Sequence, residues 1–148
     1  SVALTGRAKD TTVLSSGENM EPGPLEEALV ASPLIEQVML VGQDERQLGA
    51  LIVPRTEAIL AWAETAGLSL AQDLGGQPGD PALLKLLMRE CNSLLKQRVG
   101  SRGDERLAGV VLVDPFSIEN GLLTQTLKQR RDRITARDQR LIEALYGR

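Results

Sequence analysis

Side chains suited to anionic substrates gather at both ends of this 148-residue chain. Toward the C-terminus stand Lys128, Arg130, Arg131, Arg133, Arg137 and Arg140. Near the start, Arg7, Lys9 and Asp10 lead into Ser15-Ser16-Gly17-Glu18-Asn19. A guanidinium fork matches the paired oxygens of carboxylates and phosphates. A glycine without Cβ lets a thin ligand come close to the backbone. Absent residue types narrow the chemistry further. There is no histidine, so dyads and triads built on imidazole are excluded. Cys91 is the single cysteine, so neither a Cys/His zinc site nor an internal disulfide can form, and no metal site is expected.

Elements must carry these residues. Apolar residues make up 42% and charged residues 25%, a balance that supports a folded core. Aromatics are only 2%, so the core is built from Leu, Val, Ile and Ala, and base-stacking recognition of single-stranded nucleic acid is disfavoured. The net charge of −3 argues against a phosphate-backbone binder. No apolar run reaches the roughly 18 residues of a membrane span. The lone thiol fits a reducing, cytoplasmic compartment, which leaves membrane association of a larger parent open.

Residues 11–14 predict a short strand and 15–23 a polar loop. Pro24 predicts the start of a helix that Ser32 and Pro33 stop. Residues 38–42 and 48–54, joined by a polar turn, predict an antiparallel hairpin. Thr56 is the expected cap of a helix closed by Gly67. Residues 71–81 read as a flexible Gly/Pro loop, after which Asp80 caps a helix reaching about residue 99. Residues 109–113 predict a third strand. From about 127 to 146 the spacing predicts one Arg-rich helix with Ile134, Leu141, Ile142 and Leu145 inward. The fold class is α+β, a small sheet containing a β-hairpin and packed by helices.

Two segments carry a family resemblance. Residues 4–26, LTGRAKDTTVLSSGENMEPGPLE, hold G-R-x-K-D, an apolar strand, S-G-E-N and a proline before L-E-E. Residues 119–131, ENGLLTQTLKQRR, hold T-x-T-L followed by a lysine. In this order they resemble the interdomain and final motifs of the adenylate-forming ligases, the superfamily of acyl-CoA synthetases, luciferases and peptide-synthetase adenylation domains. The hairpin GQDERQLGALIVP is most similar to long-chain fatty-acyl synthetases of the acyl-carrier-protein type. The resemblance covers the chain and implies one C-terminal lid domain over residues 1–148. A large N-terminal domain, which is not in this sequence, would bind ATP, Mg2+ and the fatty acid. The opening at Ser1, just before a dense motif, agrees with an excised fragment.

The implied reaction has two steps. A carboxylate attacks the α-phosphate of ATP to give acyl-AMP and pyrophosphate. A thiol of CoA, or of the phosphopantetheine on acyl carrier protein, then displaces AMP, and the lid rotates between the steps. By residue type alone Lys128 is a solvated lysine on a basic helix. The flanking motif implies that its ammonium bridges the carboxylate and α-phosphate oxygens as charge gathers there, which makes it both catalytic and nucleotide-binding. Lys9 matches the hinge and Arg7 the nucleotide-contacting arginine. Gly17, with Ser16 and Glu18, matches the loop lining the pantetheine tunnel. Arg130, Arg131, Arg133 and Arg137 could steer an acidic carrier protein, or could simply face solvent. Two positions depart from the pattern. Leu127 stands where many members have glycine, and Gln125 where many long-chain enzymes have proline. Alternatives are an adenylate-forming ligase for another carboxylic acid, and a non-catalytic module that binds carrier protein.

Overall fold

The computed structural model describes residues 11–65, 67, 81–98, 100–101 and 105–147. Apart from Pro81, the Gly/Pro loop lies outside these residues, as do the proposed cap Asp80 and the positions of Arg7 and Lys9. The elements run β1 (Thr12–Val13), β2 (Asn19–Met20), α1 (Pro22–Val30), β3 (Ile35–Val41), β4 (Leu48–Pro54), α2 (Thr56–Thr65), α3 (Pro81–Lys96), β5 (Leu107–Leu112), α4 (Arg131–Arg137) and α5 (Gln139–Leu145). The small sheet packed by helices is the α+β arrangement expected.

β1 and β2 pair antiparallel as a separate two-stranded ribbon. The other three strands form one sheet in the order β3-β4-β5. β3 and β4 are the expected hairpin, with Val38 opposite Ile52 and Leu40 opposite Ala50. β5 joins β4 in parallel, Ala50 beside Val110 and Ile52 beside Leu112. A parallel neighbour needs a long crossover, and the segment holding α2 and α3 provides it.

The sheet is covered on both faces, which explains why β4 reads as an unbroken apolar run rather than an alternation. On one face Val38, Leu40, Ala50, Ile52, Val110 and Leu112 meet the helices α1 to α3. The buried row Leu83, Leu87, Cys91 and Leu95, spaced four apart, forms the inward stripe of α3. On the other face Met39, Leu51, Val53 and Val111 meet Phe116, Leu122, Ile134 and Ile142. Adjacent residues of one strand thus serve opposite cores, as a pleat of period two requires.

Several boundaries differ from the sequence expectation. α1 begins at Pro22 rather than Pro24. Arg55, not Thr56, occupies the cap of α2, since the Ile59 N–H donates to Arg55 O at 2.9 Å. β3 starts three residues earlier than expected, at Ile35, and β5 spans Leu107–Leu112. The largest departure is at the end of the chain. The single helix expected from about residue 127 is replaced by a turn followed by two short helices. Leu127 takes a φ of 66°, a left-handed conformation that cannot continue a right-handed helix. Asp138, with φ −104° and ψ 21°, separates α4 from α5. Lys128 is therefore on a loop and not on a basic helix face.

Candidate functional site

The loop bearing Lys128 is shaped by Thr124. Leu123 and Gln129 form an isolated antiparallel bridge. Inside it, the Thr124 N–H donates to Lys128 O at 2.8 Å and the Leu127 N–H to Thr124 O at 2.8 Å. The Thr124 hydroxyl accepts the Lys128 N–H at 3.0 Å and lies 3.2 Å from the Thr126 hydroxyl. T-x-T-L-K is thus a self-capped tight turn, with both threonine hydroxyls spent on its interior. Leu127 is the strained corner at φ 66° and is 66% exposed. Glycine reaches that conformation without cost, which is the physical reason a glycine suits this position.

The turn forms one wall of an open groove of about 760 Å3, closed by α1 and by the outer edge of β3. Lys128 shares it with Glu26, Glu27, Glu36 and Arg131, while Val30 and Leu127 supply exposed apolar surface. Most of the charge is already committed. Glu36 pairs with Arg55 at 2.9 Å, an exposed bridge of little energetic weight. Glu26 is buried and held by Arg131 through two parallel bonds of 2.7 Å each. The Lys128 ammonium makes no hydrogen bond or ion pair with the described residues. It is an exposed, uncommitted cation on a stiff turn, suited to meeting oxyanions brought from outside this chain.

Gly17, Ser16 and Glu18 lie in the turn between β1 and β2. The Gly17 N–H donates to Leu14 O at 2.8 Å, and the Leu14 N–H to Glu18 O at 2.9 Å. Gly17 is exposed with φ 89°, and a Cβ added there would meet nothing within 4 Å. Glycine is thus required by conformation and not by crowding within this domain. The turn is moored to the connection between β3 and β4. Val13 N–H donates to Gln43 Oε1 at 3.1 Å, Asp44 N–H to Val13 O at 2.8 Å, and Ser15 N–H to Glu45 O at 2.8 Å. The groove beside Lys128 does not include Ser16, Gly17 or Glu18. The two candidate regions are therefore separate surfaces.

The arginines divide into two sets. Arg131 is spent on Glu26. Arg137 grips Asp138 at 2.8 and 2.9 Å, donates to the carbonyls of Asp114 and Pro115, and stands 5.5 Å from the Phe116 ring centroid. Both are structural ties. Arg133 is exposed and makes a long contact of 3.5 Å to Gly121 O, and Arg130 is half-buried and in no ion pair among the described residues. Cys91 is buried, and desolvation pushes its thiol up to about 12, the neighbouring Glu90 carboxylate adding to the rise. It is a core residue. Among the described residues no group of three or more Cys, Asp or Glu is placed to hold a metal, and no helix is long and apolar enough to cross a membrane.

Residue type alone pointed past Gln129 and past the partner of Glu26. Gln129 Nε2 donates to Val38 O at 2.7 Å across 91 positions of sequence. A neutral amide beside three cations carries no signal of its own, and the acceptor becomes visible only once β3 is known to be an edge strand.

Residues 9–68 match the family described as the AMP-binding enzyme C-terminal domain. That match bears out the resemblance carried by the motifs, and the α+β fold agrees with it. Over 98% of its length it is 40% identical to the probable acyl-activating enzyme 16, chloroplastic, of Arabidopsis thaliana, covering 19% of that protein. It is 39% identical over 99% of its length to a chloroplastic long-chain-fatty-acid–[acyl-carrier-protein] ligase of Arabidopsis thaliana, covering 18% of it. A long-chain-fatty-acid–CoA ligase of Mycobacterium tuberculosis is 31% identical over 99% of the chain, which covers 24% of that enzyme. The chain thus spans about a fifth of these relatives. Among solved structures, the A domain of carboxylic acid reductase from Segniliparus rugosus, in complex with AMP and a carboxylic acid, superposes with a TM-score of 0.74. That match is 30% identical and covers 95% of this chain and 20% of that one.

Proposed function

We propose that this domain is the mobile C-terminal lid, over residues 1–148, of an ATP-dependent long-chain fatty acid ligase. That enzyme forms acyl-AMP and then a thioester with acyl carrier protein or CoA. The observation that carries this reading is Lys128, an unpaired ammonium at the exposed corner of a self-capped turn. Preorganised charge placed where negative charge develops is worth a few kcal/mol in such a step. The lid swings this turn against the carboxylate and α-phosphate for the first step and away for the second. ATP and Mg2+ are held mainly by a large N-terminal domain, the lid's principal partner. Arg7 contacts the nucleotide and Lys9 is the pivot. Gly17, with Ser16 and Glu18, lines the passage for pantetheine, and its unobstructed left-handed turn supports that role. The higher identity to the carrier-protein ligase, 39% against 31% for the CoA ligase, favours carrier protein as acceptor. Arg130 and Arg133 are the arginines left to attract it.

The test is Lys128→Ala in the full-length ligase, with the two half-reactions assayed apart. Acyl-AMP formation should fall by roughly 10²-fold or more, the scale of losing one preorganised group. Thioester formation from supplied acyl-AMP should stay near the parent rate. Equal loss in both steps would rule out the assigned role. The isolated 148 residues should show no fatty-acid-dependent release of AMP from ATP. Turnover by the purified domain would overturn the division of labour.

A further inference from the structure

Strand β3 is an edge of the sheet, so the polar groups of Val38 and Leu40 that face away from β4 have no strand partner. Side chains from elsewhere fill both positions. Gln129 Nε2 donates to Val38 O at 2.7 Å. Glu26 Oε2 accepts the Leu40 N–H at 2.8 Å, and the same carboxylate takes both bonds from Arg131. Gln129 and Arg131 follow Lys128 by one and three residues.

The bonds made by Thr124 are internal to the turn. They set its shape but not its place on the domain. Its stem is held by buried Leu122 and by the Leu122 and Leu123 N–H groups, which both donate to Ser117 O. On the side facing the sheet it is attached to one strand edge, Gln129 directly and Arg131 through Glu26. A buried ion pair is a poor source of net stability, because desolvation offsets most of the attraction. What a two-pronged guanidinium–carboxylate pair does supply is fixed geometry. We propose that Gln129 and the Glu26–Arg131 pair are positioning residues: a clasp on the edge of β3 that sets where the Lys128 ammonium stands in the adenylation step. This rests on the role given above to Lys128. Because the second step uses another presentation of the lid, the clasp serves only the first.

The test uses the full-length ligase with Gln129→Met, Arg131→Lys and Glu26→Gln, beside Lys128→Ala as reference. ATP–pyrophosphate exchange with a long-chain fatty acid reads the first step, and thioester formation from supplied acyl-AMP reads the second. Gln129→Met removes one donor at nearly constant volume, so it remains informative even if an ion-pair variant fails to fold. We expect each folded variant to lower the kcat of exchange by ~10-fold to ~10²-fold, the scale of a displacement of about 1 Å. KM for ATP and the thiol step should each stay within about threefold, the pattern of an interaction made only in the transition state. Exchange at the parent rate in Gln129→Met, or equal losses in both steps, would overturn the clasp while leaving the Lys128 role to its own variant. If Lys128→Ala spares exchange, that role and the clasp fall together.

Discussion

Leu127 is the residue at which local preference and local structure disagree most openly. A left-handed conformation costs a branched L-residue roughly 1–2 kcal/mol, and this side chain recovers little by burial because it is 66% exposed. Leu127→Gly should therefore raise the unfolding free energy by up to about 1 kcal/mol, after the entropy that glycine adds to the unfolded chain. Chemical denaturation with an unchanged m-value would show it, and a loss of stability would mean the leucine packs better than its exposure implies. Cys91 is the opposite case, a residue whose surroundings hold it inert. With the thiol raised to about 12 from 9.0, the folded state keeps its proton where the unfolded state loses it. The contribution of this group is complete below pH 9 and declines as pH rises from about 9 to about 12. A disulfide reagent at pH 8 should label Cys91 slowly in the native chain and rapidly in denaturant. Equal rates would show that the core opens far more easily than its packing indicates.

At the scale of elements, α5 lies on the sheet through a gap left by two glycines. Gly49 of β4 and Gly109 of β5 are register partners. A Cβ at Gly49 would come within 2.6 Å of the Leu145 side chain, and one at Gly109 within 3.3 Å. Gly49→Val should destabilise the domain by ~1–3 kcal/mol as an overpacked core. The companion change Leu145→Ala should recover part of that loss in a double-mutant cycle. Full additivity of the two changes would place the clash elsewhere. Sequence pattern gave early access to the hairpin and to α3, because period-two and four-residue spacings report which side is buried. It gave no access to the parallel pairing of β5, which depends on a crossover dozens of residues long. The spacing pattern fails at the final helix for a plain reason. Ile134, Leu141, Ile142 and Leu145 do point inward, yet a spacing pattern cannot register one left-handed residue at its start or a break at Asp138. Of the candidate site, Lys128 was legible through its motif. The attachments of its loop were not, since Gln129 and Glu26 meet β3 across long stretches of chain.

At the scale of the molecule, the chain occupies about a fifth of the relatives it resembles, and its surfaces fit that proportion. The Lys128 groove and the Gly17 turn are both open to solvent, as the proposed sharing of the sites with another domain requires. The sheet beneath them is a slab with helices on both sides. β4 runs through its middle, every residue from Leu48 to Val53 buried, with one core above and another below. Such a laminate has no plane along which its layers can slip without exposing one core or the other. The reorientation we propose must therefore be taken up outside it, with the whole slab turning as a single lever arm. In the rotation we propose, both open surfaces would move through the same angle at the same instant, coupled by the rigidity of the sheet between its two cores.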